Sequence, residues 1–239
     1  MATVVGYHAC SVDFARRLWR NEVTTSDWMP SENEYDWLGS GIYFWGNGLR
    51  RAQEWAGEIE ERHQQESAVV KATIDLGRCL DLTNTSLRPL IHETYESLKS
   101  LHEEEPELGP LPENGGNQLK LRRLDCYVVD QFVQLATNGM PIDDATAVVE
   151  YQTVRCSFDE GEALCPGSGI LSQTHPQLSV RDNSCIIKIE KDDYRRSPSA
   201  DEKMARAYCE SLSSDKSPIR SERQRLAGRE ICSDVILFE

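Results

Sequence analysis

Apolar residues recur along this chain in two rhythms, short alternating runs and longer stretches at helical spacing. The first run, Thr3-Val4-Val5-Gly6-Tyr7-His8, predicts a buried strand ending in a histidine. Ser11 then stands as an N-cap for a helix over 12–22. Residues 23–36 have little periodicity but carry Trp28 and Tyr35, which predicts a long loop with a role beyond connection. Gly39-Ser40-Gly41 predicts a pliable turn and Ile42-Tyr43-Phe44-Trp45 a strand too aromatic for a surface loop. In the next stretch Leu49, Ala52, Trp55, Ala56 and Ile59 fall on one helical face.

The rest of the chain repeats these rhythms. Strands are expected over 67–77 and 79–82, and helices over 86–104 and 119–138 with a proline- and glycine-rich linker, 106–117, between them. Strand character returns at 152–156, 177–180 and 184–189, with Asp182-Asn183 as a tight turn between the last two. Clustered helices among short strands predict an α+β class with a split, mostly antiparallel sheet, a cleft between its halves, and the 86–138 helical region inserted between strands. The expected organisation is one domain over 1–190 and an appendage over 191–239 packed on it. Helix-compatible stretches lie at 200–212 and 220–229, and the apolar end 234–238 is able to dock.

Charge narrows the choice of partners. A formal net charge of -14 over 239 residues argues against a generic polyanion binder. Local basic clusters interrupt it at Arg16-Arg17 with Arg20, Arg50-Arg51, Arg122-Arg123 and Arg195-Arg196. The eight cysteines have no CxxC pair or zinc-type spacing, which fits a reduced cytoplasmic interior without a bound metal. Cys156 and Cys165 are expected to be small packing residues. Met1-Ala2-Thr3-Val4-Val5 has no basic start or long apolar run, so neither a secretory signal nor a membrane span is expected.

His8-Ala9 at one strand end, Gly39-Ser40-Gly41-Ile42-Tyr43-Phe44 at another and Arg51-Ala52-Gln53-Glu54-Trp55 on the following helix resemble the ADP-ribosyltransferase superfamily of the diphtheria-toxin and PARP type. Together with Phe158-Asp159-Glu160-Gly161 and His175-Pro176-Gln177-Leu178-Ser179-Val180, the string around Tyr43 resembles bacterial ADP-ribosyltransferase toxins of antiphage toxin-antitoxin-chaperone systems. The resemblance implies an ADP-ribosyltransferase-like fold, NAD as co-substrate, and a His-Tyr-Glu type of site. It places His8, Ala9, Ser11, Tyr43 and Trp55 around the nicotinamide half of NAD, and Tyr43, Glu160 and Gln177 at the reacting centre. It also implies a nucleic-acid acceptor, RNA or DNA, and an antitoxin protein as partner.

Two positions depart from the pattern. Ala52 stands where a serine is common, and Gln177 stands where a carboxylate is expected. An amide cannot act as a base, so Glu160 or Glu162 on the preceding acidic loop is the alternative source of charge. A carboxylate is wanted because cleaving the nicotinamide–ribose bond develops positive charge on the sugar. Three alternatives remain at this point: an enzyme that modifies protein, a catalytically weak NAD or ADP-ribose binding module, and a partner-binding scaffold of the same fold. For a nucleic-acid acceptor, Arg16, Arg17, Arg50, Arg51, Arg122 and Arg123 are the candidates for a basic rim.

Overall fold

The computed structural model describes residues 2–31, 33, 36–116, 119–138 and 150–191, with positions 204, 207 and 210. Two compact units divide the chain, Met1–Asp192 and Asp193–Glu239. The sheet, its helices and the cleft all belong to the first. In the second, positions 204, 207 and 210 are helical, as expected of 200–212. The expectations for 220–229, for 234–238 and for Arg195-Arg196 lie outside the described residues.

Seven strands form one sheet in the order β4-β5-β6-β2-β1-β3-β7. They are β1 (Thr3–Ser11), β2 (Ile42–Gly46), β3 (Ser67–Asp75), β4 (Cys79–Asp81), β5 (Thr153–Phe158), β6 (His175–Val180) and β7 (Ile186–Lys191). Every neighbouring pair is antiparallel except β4 with β5. That exception has a cause in chain order, because α3 (Arg88–Glu104) and α4 (Arg123–Thr137) lie between β4 and β5 and carry the chain back. The fold is therefore α+β with a mostly antiparallel sheet and the two helices inserted between strands.

Alternation within the strands assigns each face its partner. Ile42 and Phe44 of β2 join Ala15 and Leu18 of α1 (Val12–Trp19) and Trp28 in one core cluster. Trp45, from the opposite face of β2, packs with Ala9, Val69 and the Ala52 and Ala56 face of α2 (Leu49–His63). A third cluster joins Trp37 and Leu38 to Leu80, Val154 and the Val129, Phe132 and Val133 face of α4. The helical spacing around Ala52 thus marks a buried face.

Several boundaries differ from the sequence expectation. Helix α1 stops at Trp19 rather than 22, because Asn21 turns left-handed at φ 55°, a conformation asparagine tolerates. Helix α4 starts at Arg123 rather than 119, where the Asn114 side chain accepts from the N–H groups of Leu124 and Asp125. Asp182-Asn183 does not close a hairpin. β6 lies between β5 and β2, whereas β7 is at the far edge beside β3, and a short 3-10 turn, Asn183–Cys185, sends the chain across. Of the two cysteines expected to pack, Cys156 is half-buried but Cys165 is exposed, at the tip of the loop after β5.

Candidate functional site

The sheet parts in its middle. β1 pairs with β3 along all nine residues from Thr3 to Ser11, but its ladder with β2 is confined to Gly6↔Gly46 and Tyr7↔Trp45. Beyond Tyr7 that edge of β1 has no strand partner among the described residues. His8, Ala9 and Cys10 on one side and Ile42, Tyr43 and Trp45 on the other therefore line a cleft of about 600 Å³, a size typical of small-molecule sites.

His8 bridges the opening. Its Nδ1 donates to the Tyr43 carbonyl at 2.7 Å, which leaves Nε2 as the acceptor of a neutral ring. Trp28 meets the His8 ring edge-on at 4.8 Å and also packs on Phe44 and Phe14. Burial lowers the His8 pKa to about 4 against the opposing pull of the Tyr43 carbonyl. The imidazole is uncharged at neutral pH.

Tyr43 is fixed at both ends. Its hydroxyl accepts from Leu38 N at 2.8 Å and donates to the Gly39 carbonyl at 2.8 Å. Burial, with the nearby Asp36 charge, pushes its pKa up, so the phenol stays protonated. The turn it grips is also held from α4. Asp130 accepts from Ser40 N and Oγ, at 2.9 Å each, and from Arg181 at 2.6 Å. Both glycines of the turn are required: Gly39 has φ 76°, and a Cβ on Gly41 would collide with Ser179 Oγ.

The opposite wall is ionic. Glu160, buried at the end of β5, receives Nε and Nη2 of Arg51 at 3.0 and 3.2 Å and Nζ of Lys120 at 2.8 Å. Burial pushes the carboxyl up, but the hydrogen bonds from Arg51 and Lys120 outweigh it and leave the pKa below the ordinary value. Arg51 Nη1 also lies 3.8 Å from Glu54 and 3.6 Å from Glu58. Trp55 stands on this wall with the Arg62 guanidinium 4.8 Å from its ring centre.

Of the residues singled out in the sequence, His8, Ala9, Tyr43, Trp55, Glu160 and Gln177 converge on this cleft. Gln177 projects from β6, and its amide oxygen accepts from the Trp37 indole N–H. Ser11 is not brought in; its hydroxyl accepts from Phe14 N at 3.3 Å and caps α1. Glu162 is exposed and does not line the cleft. Asp36, Lys120 and the ionic role of Arg51 escaped the sequence reading, since Lys120 lies in the linker-to-helix joint and Arg51 reads as half of a surface basic pair.

The six rim arginines occupy distinct settings. Arg16 and Arg17 are exposed on α1, and Arg50 is exposed and paired with Glu54. Arg51 is buried against Glu160. Arg122 lies over the Trp37 and Phe158 rings at 5.6 and 5.2 Å in a separate cavity, and Arg123 opens α4. The cations that line the cleft are Arg51, Arg62 and Lys120.

Among the described residues there is no cluster of His, Cys, Asp and Glu able to hold a metal ion, and no helix long and apolar enough to cross a membrane. Compared with protein-family models, with curated proteins and with solved structures, the chain finds no match in any of the three.

Proposed function

We propose that the chain is an NAD-dependent ADP-ribosyltransferase whose reacting centre lies in the cleft between β1 and β2. The observation that supports this reading most is the meeting of His8, Tyr43, Trp55 and Glu160 on one cleft from four separate elements. A neutral imidazole with a free acceptor edge suits a ribose hydroxyl, and aromatic rings beside a fixed turn suit a flat nicotinamide. Glu160, ionised and buried, suits the positive charge that develops on the ribose as the glycosidic bond breaks. Gln177 suits a ribose hydroxyl rather than proton transfer. Arg51, Arg62 and Lys120 line the cleft as donors a pyrophosphate could take, but each is already paired there, Arg51 and Lys120 with Glu160 and Arg62 with Glu58.

The acceptor we propose is nucleic acid, on the strength of the likeness to toxins of the toxin-antitoxin-chaperone kind, with an antitoxin protein as the neutralising partner. The test is to incubate labelled NAD with the protein and a cell lysate and then digest with nuclease or protease. Label released by nuclease is the expected result. Label that resists nuclease and yields to protease contradicts the nucleic-acid acceptor and favours protein.

One observation favours a second reading, a module that binds NAD or ADP-ribose and turns it over weakly. The two third-position candidates that line the cleft already have partners, Glu160 in Arg51 and Lys120 and Gln177 in Trp37. NAD binding without nicotinamide release distinguishes this reading from the enzyme.

A further inference from the structure

Asp36 is buried, at 6% exposure, and stands in the wall between two concavities. One is the cleft of His8 and Tyr43; the other, of about 400 Å³, is bounded by α4 residues including Tyr127, Gln131 and Gln134, and Asn33 and Asp36 line both. Among the described residues its two oxygens are each engaged once, Oδ1 by Ser31 Oγ at 3.2 Å and Oδ2 by Asn33 N at 2.8 Å. A carboxylate has about four acceptor positions, so capacity remains on each oxygen. Nothing in the reaction as assigned above uses this group.

We propose that Asp36 is the base that takes the proton from the acceptor, and that the acceptor reaches the cleft through the concavity beside α4. This rests on the NAD reading of the cleft. The step balances as follows. The ribose C1–nicotinamide bond breaks and its electron pair goes to the nicotinamide nitrogen, which becomes neutral. The acceptor oxygen or nitrogen forms the new bond to C1, and its proton passes to the Asp36 carboxylate and then to water. The groups that face Asp36 are Tyr43, whose phenol stays protonated, Cys126 and Asp130 from α4, and the polar Ser31 and Asn33. Burial raises the carboxyl to about 6 although Asn33 N–H and the Ser31 hydroxyl pull it down, and the Asp130 charge adds to the rise. Such a base is ionised at neutral pH yet strong enough to accept a proton. Arg123 lines the α4 concavity together with Asp36 and Asp130, and Asp130 is paired with Arg181 at 2.6 Å, so a small anion is not excluded there, but only an acceptor that carries a proton needs the base. The acceptor class is an uncharged O–H or N–H group, such as a sugar hydroxyl, a base amino group or an amide.

The test uses water as the acceptor, so no macromolecular substrate has to be known. NAD affinity is measured by calorimetry and nicotinamide release by chromatography for the wild type and Asp36→Asn, from pH 5 to 8, with and without sodium azide. Azide is a nucleophile that carries no proton and is small enough to enter where water does. The variant is expected to bind NAD within about twofold of the wild type and to release nicotinamide about 100-fold more slowly or worse. Azide is expected to restore release and yield ADP-ribosyl azide, and the wild-type rate is expected to fall on the acid side with a midpoint near 6. An active wild type with an unaffected Asp36→Asn, or with a slow variant that azide does not restore, overturns the role of Asp36 alone. If Asp36→Asn does not fold, a wild-type rate that is flat from pH 5 to 8 overturns it. A wild type that neither binds nor cleaves NAD overturns the NAD reading and this inference with it.

Discussion

His8 and Tyr43 are 35 residues apart in the chain, and Nδ1 of one lies 2.7 Å from the main-chain oxygen of the other across the gap where β1 and β2 separate. The contact holds the gap at a fixed width and fixes the tautomer that faces it. Burial keeps the ring at about 4 in the folded chain, against an ordinary 6.5. Between these values the unfolded state binds more protons, so the contribution of His8 is full above about 6.5 and is lost as pH falls toward 4. The shift is worth about 3 kcal/mol at most. Asp36 has the opposite sign: its carboxyl is raised to about 6, so its contribution is full below 3.8 and is lost as pH rises through 6. The comparison must therefore be between variants. His8→Gln is expected to lose less stability than the wild type between pH 7 and 4.5 in denaturant melts, and identical losses contradict the assignment.

Gly41 immediately precedes β2, beside the end of its ladder with β6. An added Cβ would collide with Ser179 Oγ and lie 2.8 Å from the Val180 carbonyl. Gly41→Ala is expected to destabilise the protein by about 1–3 kcal/mol through overpacking. Ser179→Gly is expected to return part of that loss in the double variant, because the Val180 backbone cannot move aside as a hydroxyl can. Thermal melts of the two single variants and the double one check this; strict additivity contradicts it.

Glu160 and Arg51 form a buried pair, with side chains 8% and 10% exposed. Removing one partner leaves the other a poorer set of counter-charges, Lys120 for Glu160 and the more distant Glu54 and Glu58 for Arg51, so Arg51→Met and Glu160→Gln are each expected to cost up to about 3 kcal/mol, the lower end for breaking a buried pair. The double variant is expected to cost much less than the sum, and a double-mutant cycle in urea reads the coupling. Because Lys120 also bonds Glu160, the carboxylate is expected to stay ionised in Arg51→Met. Equal costs that add without coupling contradict the pair.

Gln177 offers the Trp37 indole its acceptor. Gln177→Glu preserves an acceptor there and is expected to keep the fold, whereas Gln177→Leu strands a buried N–H at a cost of about 1–3 kcal/mol. Unfolding midpoints of the two variants give the comparison. A leucine variant as stable as the wild type contradicts the role of this bond.

The sequence carried the local elements and less of their arrangement. The aromatic run at Ile42-Tyr43-Phe44-Trp45 and the Ala52 and Ala56 face were legible because alternation and helical spacing report burial directly. The order of strands was not: Asp182-Asn183 has the composition of a hairpin turn, but β6 is claimed by β2 and β5, and that choice is made by packing rather than by the turn. Within the site, His8, Tyr43 and Glu160 could be named from their windows. Arg51 and Lys120 could not be given an ionic role, because their partner lies 109 and 40 residues away. Asp36 looked like one more polar loop residue, and its burial within electrostatic reach of Tyr43 and Asp130 is made only by the fold.

Nicotinamide stacking on the Tyr43 ring beside His8, as proposed, is read by calorimetric titration of NAD into the wild type, Tyr43→Phe and Tyr43→Ala. The phenylalanine variant keeps the ring and loses only the hydroxyl bonds to Leu38 and Gly39. Saturable binding by the wild type is expected, with a small loss in Tyr43→Phe and a loss of about 1–3 kcal/mol in Tyr43→Ala. Wild-type protein that does not bind NAD, or an alanine variant that binds it as tightly as the wild type, contradicts nicotinamide stacking on Tyr43.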